Sequence, residues 1–238
     1  LIDFASYIYT KIFNFEYKVE LSTRPEKFMG KKEVWDKSEK SLENALKSKK
    51  MKYTINAGDG AFYGPKIDFH VKDSLGRSWQ LSTIQLDFSA PERFKLVYEG
   101  KDGKKHQPVV IHRAIYGAVE RFIAVLLEHY GGKLPLWLSP TQVVILTVSD
   151  KNAKFAEKIH NKLKEDDIRV ELDDRAESIG RKVRDAQLMK INYIITIGDK
   201  EQEKETLAIR TLDGKVEFNV KVEKFIEQIV KEIQDKTR

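Results

Sequence analysis

Apolar residues recur along this chain in two different rhythms. Up to about Phe13 they fall at helical spacing, and a β-like run starts at Tyr17. Residues Val34–Lys49 return to the period of an amphipathic helix. Between Met51 and Tyr116 the pattern is strand after strand: Ile67–Lys72, Arg77–Phe88, Phe94–Glu99 and Gln107–Tyr116. Gly58-Asp59-Gly60, Ser74-Leu75-Gly76 and Gly100-Lys101-Asp102-Gly103 punctuate them. Short glycine-bearing turns between such runs predict an antiparallel sheet. A helix from Ala118 to about Tyr130 follows, with Val119, Phe122, Ile123, Leu126 and Leu127 on one face. This half reads as α+β.

Gly131-Gly132, Pro135 and Pro140 mark a break, after which strands and helices alternate. Val143–Val148, Ile168–Leu172 and Tyr193–Ile197 read as strands, Lys151–Glu165 and Ile179–Lys190 as helices. That alternation predicts βαβ units and a mixed, largely parallel sheet. Leu207–Leu212 and Lys215–Val220 flank Asp213-Gly214 and predict an added hairpin, and Val222–Asp235 a closing helix. The domain boundary is expected near Leu138, giving domains 1–138 and 139–238.

Composition adds limits. The 238 residues are 41% hydrophobic and 34% charged, a globular balance. No run approaches the roughly 18 apolar residues of a membrane span, so no membrane partner is expected. There are no cysteines, which excludes disulfides and fits a reducing, cytoplasmic setting. Residues 141–238 hold 20 basic and 20 acidic side chains, so the whole net charge of +6 lies in the first 140. Such an excess suits polyanions such as nucleic acid or nucleotide phosphates, and solvated lysine-rich faces explain it as well. The chain lacks an initiator Met and opens on what reads as helix, so a piece of a longer protein is expected.

The stretch IHRAIYGAVERF (111–122) carries the sharpest chemistry. Gly117 suits a tight strand-to-helix turn that a side chain would obstruct. The free N–H groups at a helix start, with Arg121 in the first turn, make a cradle for phosphate. A first-turn arginine is also commonly just exposed, and a strand histidine such as His112 is usually satisfied by its neighbours. His70, His106, His129 and His160 show no ligand-like spacing. No P-loop, nucleophile elbow or G-x-G-x-x-G follows a strand, which closes those readings.

GAVERF (117–122) resembles motif 3 of the class II aminoacyl-tRNA synthetases. Longer strings are more specific: LSTRPEKFMG (21–30), GDGAFYGPKIDF (58–69), SWQLSTIQLDFSAPERF (78–94) and HRAIYGAVERF (112–122). In this order and spacing they resemble the threonyl-tRNA synthetases. DRAESIGRKVRDAQ (174–187) and IGDKE (197–201) are similar to the anticodon-binding domain of the threonyl, prolyl, histidyl and glycyl enzymes. The resemblance covers essentially the whole chain. It implies part of a class II catalytic core followed by an α/β anticodon-binding domain.

The resemblance also implies a two-step ligase, in which threonine attacks the α-phosphorus of ATP and the acyl group then passes to tRNA(Thr). Arg121 would clamp ATP, with Gln80 and Thr83 against the nucleotide. Tyr63 and Gln85 would line the threonine pocket, and Lys66 would supply positive charge. Trp79, Phe69, Leu86 and Phe88 are assigned to sheet packing. His112 would be the last of three ligands of a catalytic Zn2+, and Mg2+ would accompany ATP. A zinc that ligates the threonine hydroxyl rejects valine, which a hydrophobic pocket alone does poorly. Glu201 and Arg210 would read anticodon bases, with Arg175 and Lys200 near phosphate.

Motif 1, the motif 2 arginine and the other two zinc ligands are absent from the sequence and are expected upstream; the family's amino-terminal editing domain is absent from the sequence as well. The polypeptide alone is therefore expected not to catalyse threonine-dependent ATP–pyrophosphate exchange. The longer enzyme is expected to be a homodimer. Two other readings stand beside this one: a non-catalytic synthetase-like RNA-binding protein, and another class II synthetase such as the prolyl enzyme.

Overall fold

In the computed structural model, which describes residues 1–237, the chain divides into two compact units, Leu1–His129 and Tyr130–Arg238. The first unit opens with α1 (Ile2–Tyr7), which continues into a π-helical turn, Ile8–Ile12. Its elements then run β1 (Tyr17–Ser22), α2 (Lys32–Ser48), β2 (Thr54–Asn56), β3 (Lys66–Lys72) and β4 (Ser78–Asp87). After these come α3 (Ser89–Arg93), the short strands β5 (Tyr98–Glu99) and β6 (Lys105–His106), β7 (Val110–Ala114) and α4 (Val119–His129).

The main sheet has the order β2-β1-β3-β4-β7. Its pairs β1–β3, β3–β4 and β4–β7 are antiparallel as predicted, whereas β1 and β2 run parallel, a strand the hydrophobic pattern did not announce. Strand alternation gives this sheet two unlike faces. Val19, Leu21, Ile67, Phe69, Val71, Ile84 and Leu86 are buried, as are Tyr9, Phe13, Phe15 and Phe122. Ring contacts join Tyr9 to Phe69, and Phe13 and Phe15 to Phe122, so the π-helical turn and the residues after it share an aromatic core with β3 and α4. The intervening residues on the same strands are Glu20, Ser22, Lys66, Asp68, Thr83, Gln85, Asp87 and His112, which form a polar face.

The predicted strand Phe94–Glu99 is mostly not a strand. Ahead of it, Asp87 Oδ1 accepts the backbone N–H groups of Ser89 and Ala90 at 2.8 and 3.0 Å, which turns the chain into α3. Only Tyr98–Glu99 pairs, with Lys105–His106, across the predicted Gly100–Gly103 turn.

The second unit runs from a 3₁₀ turn, Leu136–Leu138, to β8 (Val143–Thr147). A second 3₁₀ turn, Asp150–Asn152, leads into α5 (Ala153–Glu165), then β9 (Val170–Asp173), α6 (Ile179–Leu188) and β10 (Tyr193–Ile197). The chain closes with α7 (Asp199–Lys204), β11 (Thr206–Thr211), β12 (Val216–Lys221) and α8 (Val222–Gln234). The sheet order is β12-β11-β10-β8-β9, parallel over β10-β8-β9 and antiparallel over the hairpin. Both faces are covered: Val143, Ile145, Ile195 and Ile197 pack with α5 and α8 residues, Val144, Leu146 and Ile194 with Ala186 of α6. Two-sided burial is why β8 reads as a continuous apolar run. Leu136 belongs to this core, so the segment ahead of the boundary expected near Leu138 packs with the second unit. α7 was not visible in the pattern, being six largely charged residues with none buried.

Candidate functional site

The polar face of the first sheet gathers most of the predicted site residues. On β4 and β7, Gln85 lies directly opposite His112. Tyr63 donates its hydroxyl to Gln85 Oε1 at 3.0 Å, and its ring meets the imidazole edge-on with centroids 6.1 Å apart. Tyr63 reaches this place because Gly64 lets the chain touch β4: a Cβ there would lie 1.7 Å from the Leu86 carbonyl oxygen. Three residues far apart in sequence therefore form one cluster.

His112 is half-exposed, and its Nε2 sits 2.8 Å from Asp87 Oδ2. Burial alone would raise the Asp87 carboxyl. Hydrogen bonds from His112, Ala90 and Ser89 outweigh that and hold it below the usual carboxylate range. A zinc site takes three or four ligands. Among the described residues no group of three or more His, Cys, Asp or Glu could hold a metal. The side chains present therefore do not make a zinc site by themselves.

Beside this cluster, Lys66, Gln80 and Thr83 converge on a residue that no motif reading singled out. Lys66 Nζ lies 2.7 Å from Asp68 Oδ2 and 3.0 Å from Asp59 Oδ2. Gln80 Nε2 and Thr83 Oγ1 donate to Asp68 Oδ1, the latter at 2.8 Å. Burial alone would lower the Lys66 ammonium, but the Asp68 and Asp59 carboxylates more than offset it and hold it above the ordinary lysine range. The signal for Asp68 was present in the strand alternation: an acidic residue between Ile67 and Phe69 needs partners wherever it points.

Arg121 stands apart from both clusters. Gly117 makes the predicted turn, with φ +64°, and a Cβ there would lie 2.5 Å from Leu81 O. The first turn of α4 then places the Arg121 guanidinium over the Trp79 indole, 5.1 Å from its centroid. Arg77 lies over the same ring at 5.7 Å. Trp79 is thus a platform for two cations as well as part of the sheet, and its Nε1 donates to Asp73 Oδ2 at 2.8 Å. Phe69 and Leu86 pack in the core as expected.

In the second unit the predicted RNA-facing groups are engaged locally. Glu201 Oε2 accepts Gly198 N at 3.0 Å and caps α7. Arg210 donates to the carbonyl of Gly214 at 3.3 Å, within its own hairpin. Arg175 pairs with Asp173 and Asp185 at 2.7 and 3.0 Å.

Two family models match the chain: the tRNA synthetase class II core domain (G, H, P, S and T) over residues 1–130, and an anticodon binding domain over residues 142–232. A threonine--tRNA ligase of Caldanaerobacter subterraneus subsp. tengcongensis is 52% identical over 99% of this chain and 36% of its own length. That of Clostridioides difficile is 53% identical over 95% of the chain and 35% of its length. The chain thus spans about a third of the length of the curated relatives it matches. A crystal structure described as the RNA binding domain of threonyl-tRNA synthetase from Cryptosporidium parvum Iowa II superposes with a TM-score of 0.89 at 39% identity. The match covers 97% of this chain and 58% of that one.

Proposed function

The chain belongs to the class II core family of tRNA synthetases, with an anticodon-binding domain behind the core, and from that premise we propose that it works as part of a threonine–tRNA ligase. The observation that carries this is the polar sheet face. Tyr63, Gln85 and His112 meet on it, and beside them Lys66, Gln80 and Thr83 surround one buried carboxylate. A non-catalytic RNA-binding module has no need of either cluster.

In this reading Tyr63 and Gln85 hold threonine, and Gln80 and Thr83 lie along the nucleotide. Lys66 offsets the charge of the amino acid carboxylate as it approaches the α-phosphorus of ATP. Arg121 leaves the Trp79 ring to meet the adenine and the γ-phosphate, stacking as it already does on indole. Adenylation of this kind depends on positioning and charge stabilisation, with no covalent nucleophile supplied by the protein. ATP brings Mg2+, whose charge adds to that of the arginine. Glu201 and Arg210 read the anticodon of tRNA(Thr), the carboxylate accepting and the guanidinium donating at base edges.

A chimera tests the reading. This chain replaces the matched segment of the Clostridioides difficile ligase, and amino-acid-dependent ATP–pyrophosphate exchange is measured. Threonine should support exchange, and Arg121→Ala should reduce it at least about 100-fold, the scale for a group that stabilises transition-state charge. Exchange with proline in place of threonine, or an Arg121→Ala chimera as active as its parent, would overturn it.

A further inference from the structure

Asp68 has no exposed surface, yet four side chains donate to its two oxygens. Ser22 Oγ and Lys66 Nζ reach Oδ2 at 2.7 Å each, and Thr83 Oγ1 and Gln80 Nε2 reach Oδ1. The donors come from β1, β3 and β4, so a single carboxylate ties three strands on the polar face. Burying a carboxylate is costly unless donors replace its water, and apolar residues of similar size hold a sheet together as well or better. Stability alone therefore does not account for it.

Direction does. A glutamine or lysine lying free on a sheet samples several rotamers. One bonded to a fixed buried charge samples fewer. Asp68 can only accept, so it also decides which end of each partner is left over. Gln80 gives up a donor and keeps its Oε1 for a ligand. Thr83 gives up its hydroxyl proton and keeps its lone pairs. Lys66 gives one proton to Asp68 and one to Asp59, which leaves a third.

We propose that Asp68 is a positioning residue of this site: out of reach of any ligand itself, it orients Lys66, Gln80 and Thr83 so that the face presents two acceptor oxygens beside one ammonium. A ligand matching that face carries donors, such as ribose hydroxyls or an exocyclic amine, next to a negative charge. A nucleotide is such a ligand, and in this respect the inference rests on the function proposed above.

The test uses the 238-residue chain with Asp68→Asn, which removes the charge and keeps the shape. Nuclear magnetic resonance follows the Lys66 ammonium and the Gln80 side-chain amide, and ATP titration measures affinity in the same samples. In the variant Lys66 should titrate at lower pH, because burial is no longer opposed by Asp68 and only Asp59 remains beside it. The Gln80 amide should lose its protection from exchange, and ATP affinity should fall about tenfold or more, the order expected for misplaced binding groups. Unchanged Lys66 and Gln80 signals would overturn the inference whatever ATP does. So would their release with ATP affinity intact. A parent chain that binds no ATP while both signals still respond would support the orienting role and sink the nucleotide reading instead. If Asp68→Asn does not fold, the Lys66→Met, Asp68→Asn double variant removes the ion pair as a unit, and the Gln80 amide carries the same measurement.

Discussion

The two units hold their candidate functional groups in opposite ways. In the first, the contacts that build the site join distant segments: Tyr63 with Gln85, Asp87 with His112, Ser22 with Asp68. In the second, Glu201 bonds to Gly198, Arg210 to Gly214 and Arg175 to Asp173, each within four residues, and the longest reach is Arg175 to Asp185, ten residues on. The difference follows from the sheets. The first sheet leaves one face polar, so cross-strand neighbours can be functional groups. The second is apolar on both faces, so its polar groups are left at edges, turns and helix ends. A site of the first kind depends on strand register, and one of the second kind on local capping.

The strongest way to break the comparison is therefore to disturb register. Gly64→Ala places a Cβ against the Leu86 carbonyl oxygen, which belongs to backbone and cannot rotate away. β4 must shift, and Gln85 and Asp87 move with it. Destabilisation of about 3 kcal/mol or more is expected, at the upper end for overpacking. Hydrogen exchange should locate the loss in β3, β4 and β7 and leave β8–β10 protected. A variant with native exchange in β4 would show that the strands do not need this close approach.

The second unit has a buried charge of its own. Lys182 is 2% exposed and donates to Thr147 O at 3.0 Å, Asp173 O at 3.1 Å and Thr147 Oγ1 at 3.4 Å. It thus joins the ends of β8 and β9. Lys182→Met keeps most of the stem and removes the donors, leaving buried acceptors unpaired at a cost of about 1–3 kcal/mol. Chemical denaturation should show this loss, with exchange faster in β8 and β9 and unchanged in β4. An effect on β4 exchange would contradict a role confined to the ends of β8 and β9.

How far the sequence foretold each unit follows the same division. The βαβ alternation of the second was legible because two-sided burial writes long apolar runs, as in Val143–Thr147. α7 was not, since six charged or polar residues carry no periodicity. In the first unit the glycine turn at 117 could be foreseen from residue type alone, and φ +64° bears that out. The helix at Ser89–Arg93 had no signal in the pattern, because its start depends on the Asp87 carboxylate, which a hydrophobic period ignores. The link from Asp68 to Gln80 and Thr83 needs the β3–β4 register, including its irregularity between Phe69 and His70. No spacing rule supplies that.

Smaller effects can separate two roles of one residue. Glu201→Gln keeps an oxygen for Gly198 N, so thermal stability should stay within about 0.5 kcal/mol. Affinity for a tRNA(Thr) anticodon stem-loop should fall by about 1–3 kcal/mol if the carboxylate reads a base edge. Glu201→Ala should lose that affinity and about 1 kcal/mol of stability as well, the usual value of a helix cap. Stem-loop binding unaffected by both variants would leave Glu201 as a cap alone.

The last effect is read on the acid side and concerns Asp73, which accepts the Trp79 indole N–H. Its side chain is 1% exposed and accepts from Leu75 N, Arg77 N, Arg77 Nε and Trp79 Nε1. Burial alone would raise this carboxyl, but the Trp79 and Arg77 hydrogen bonds hold it at about 2. In the unfolded chain an aspartate titrates near 3.9. The folded value is the lower one, so the folded state prefers the ionised form. The stabilisation is fully present above about pH 4 and is lost as pH falls toward 2. Asp73→Asn should therefore flatten the acid limb of the first unit's stability between those values, seen as Trp79 fluorescence during acid unfolding, with Trp35→Phe and Trp137→Phe in the background to isolate the signal. An acid limb equally steep with and without the carboxylate would show that the cations stacked on Trp79 do not depend on it.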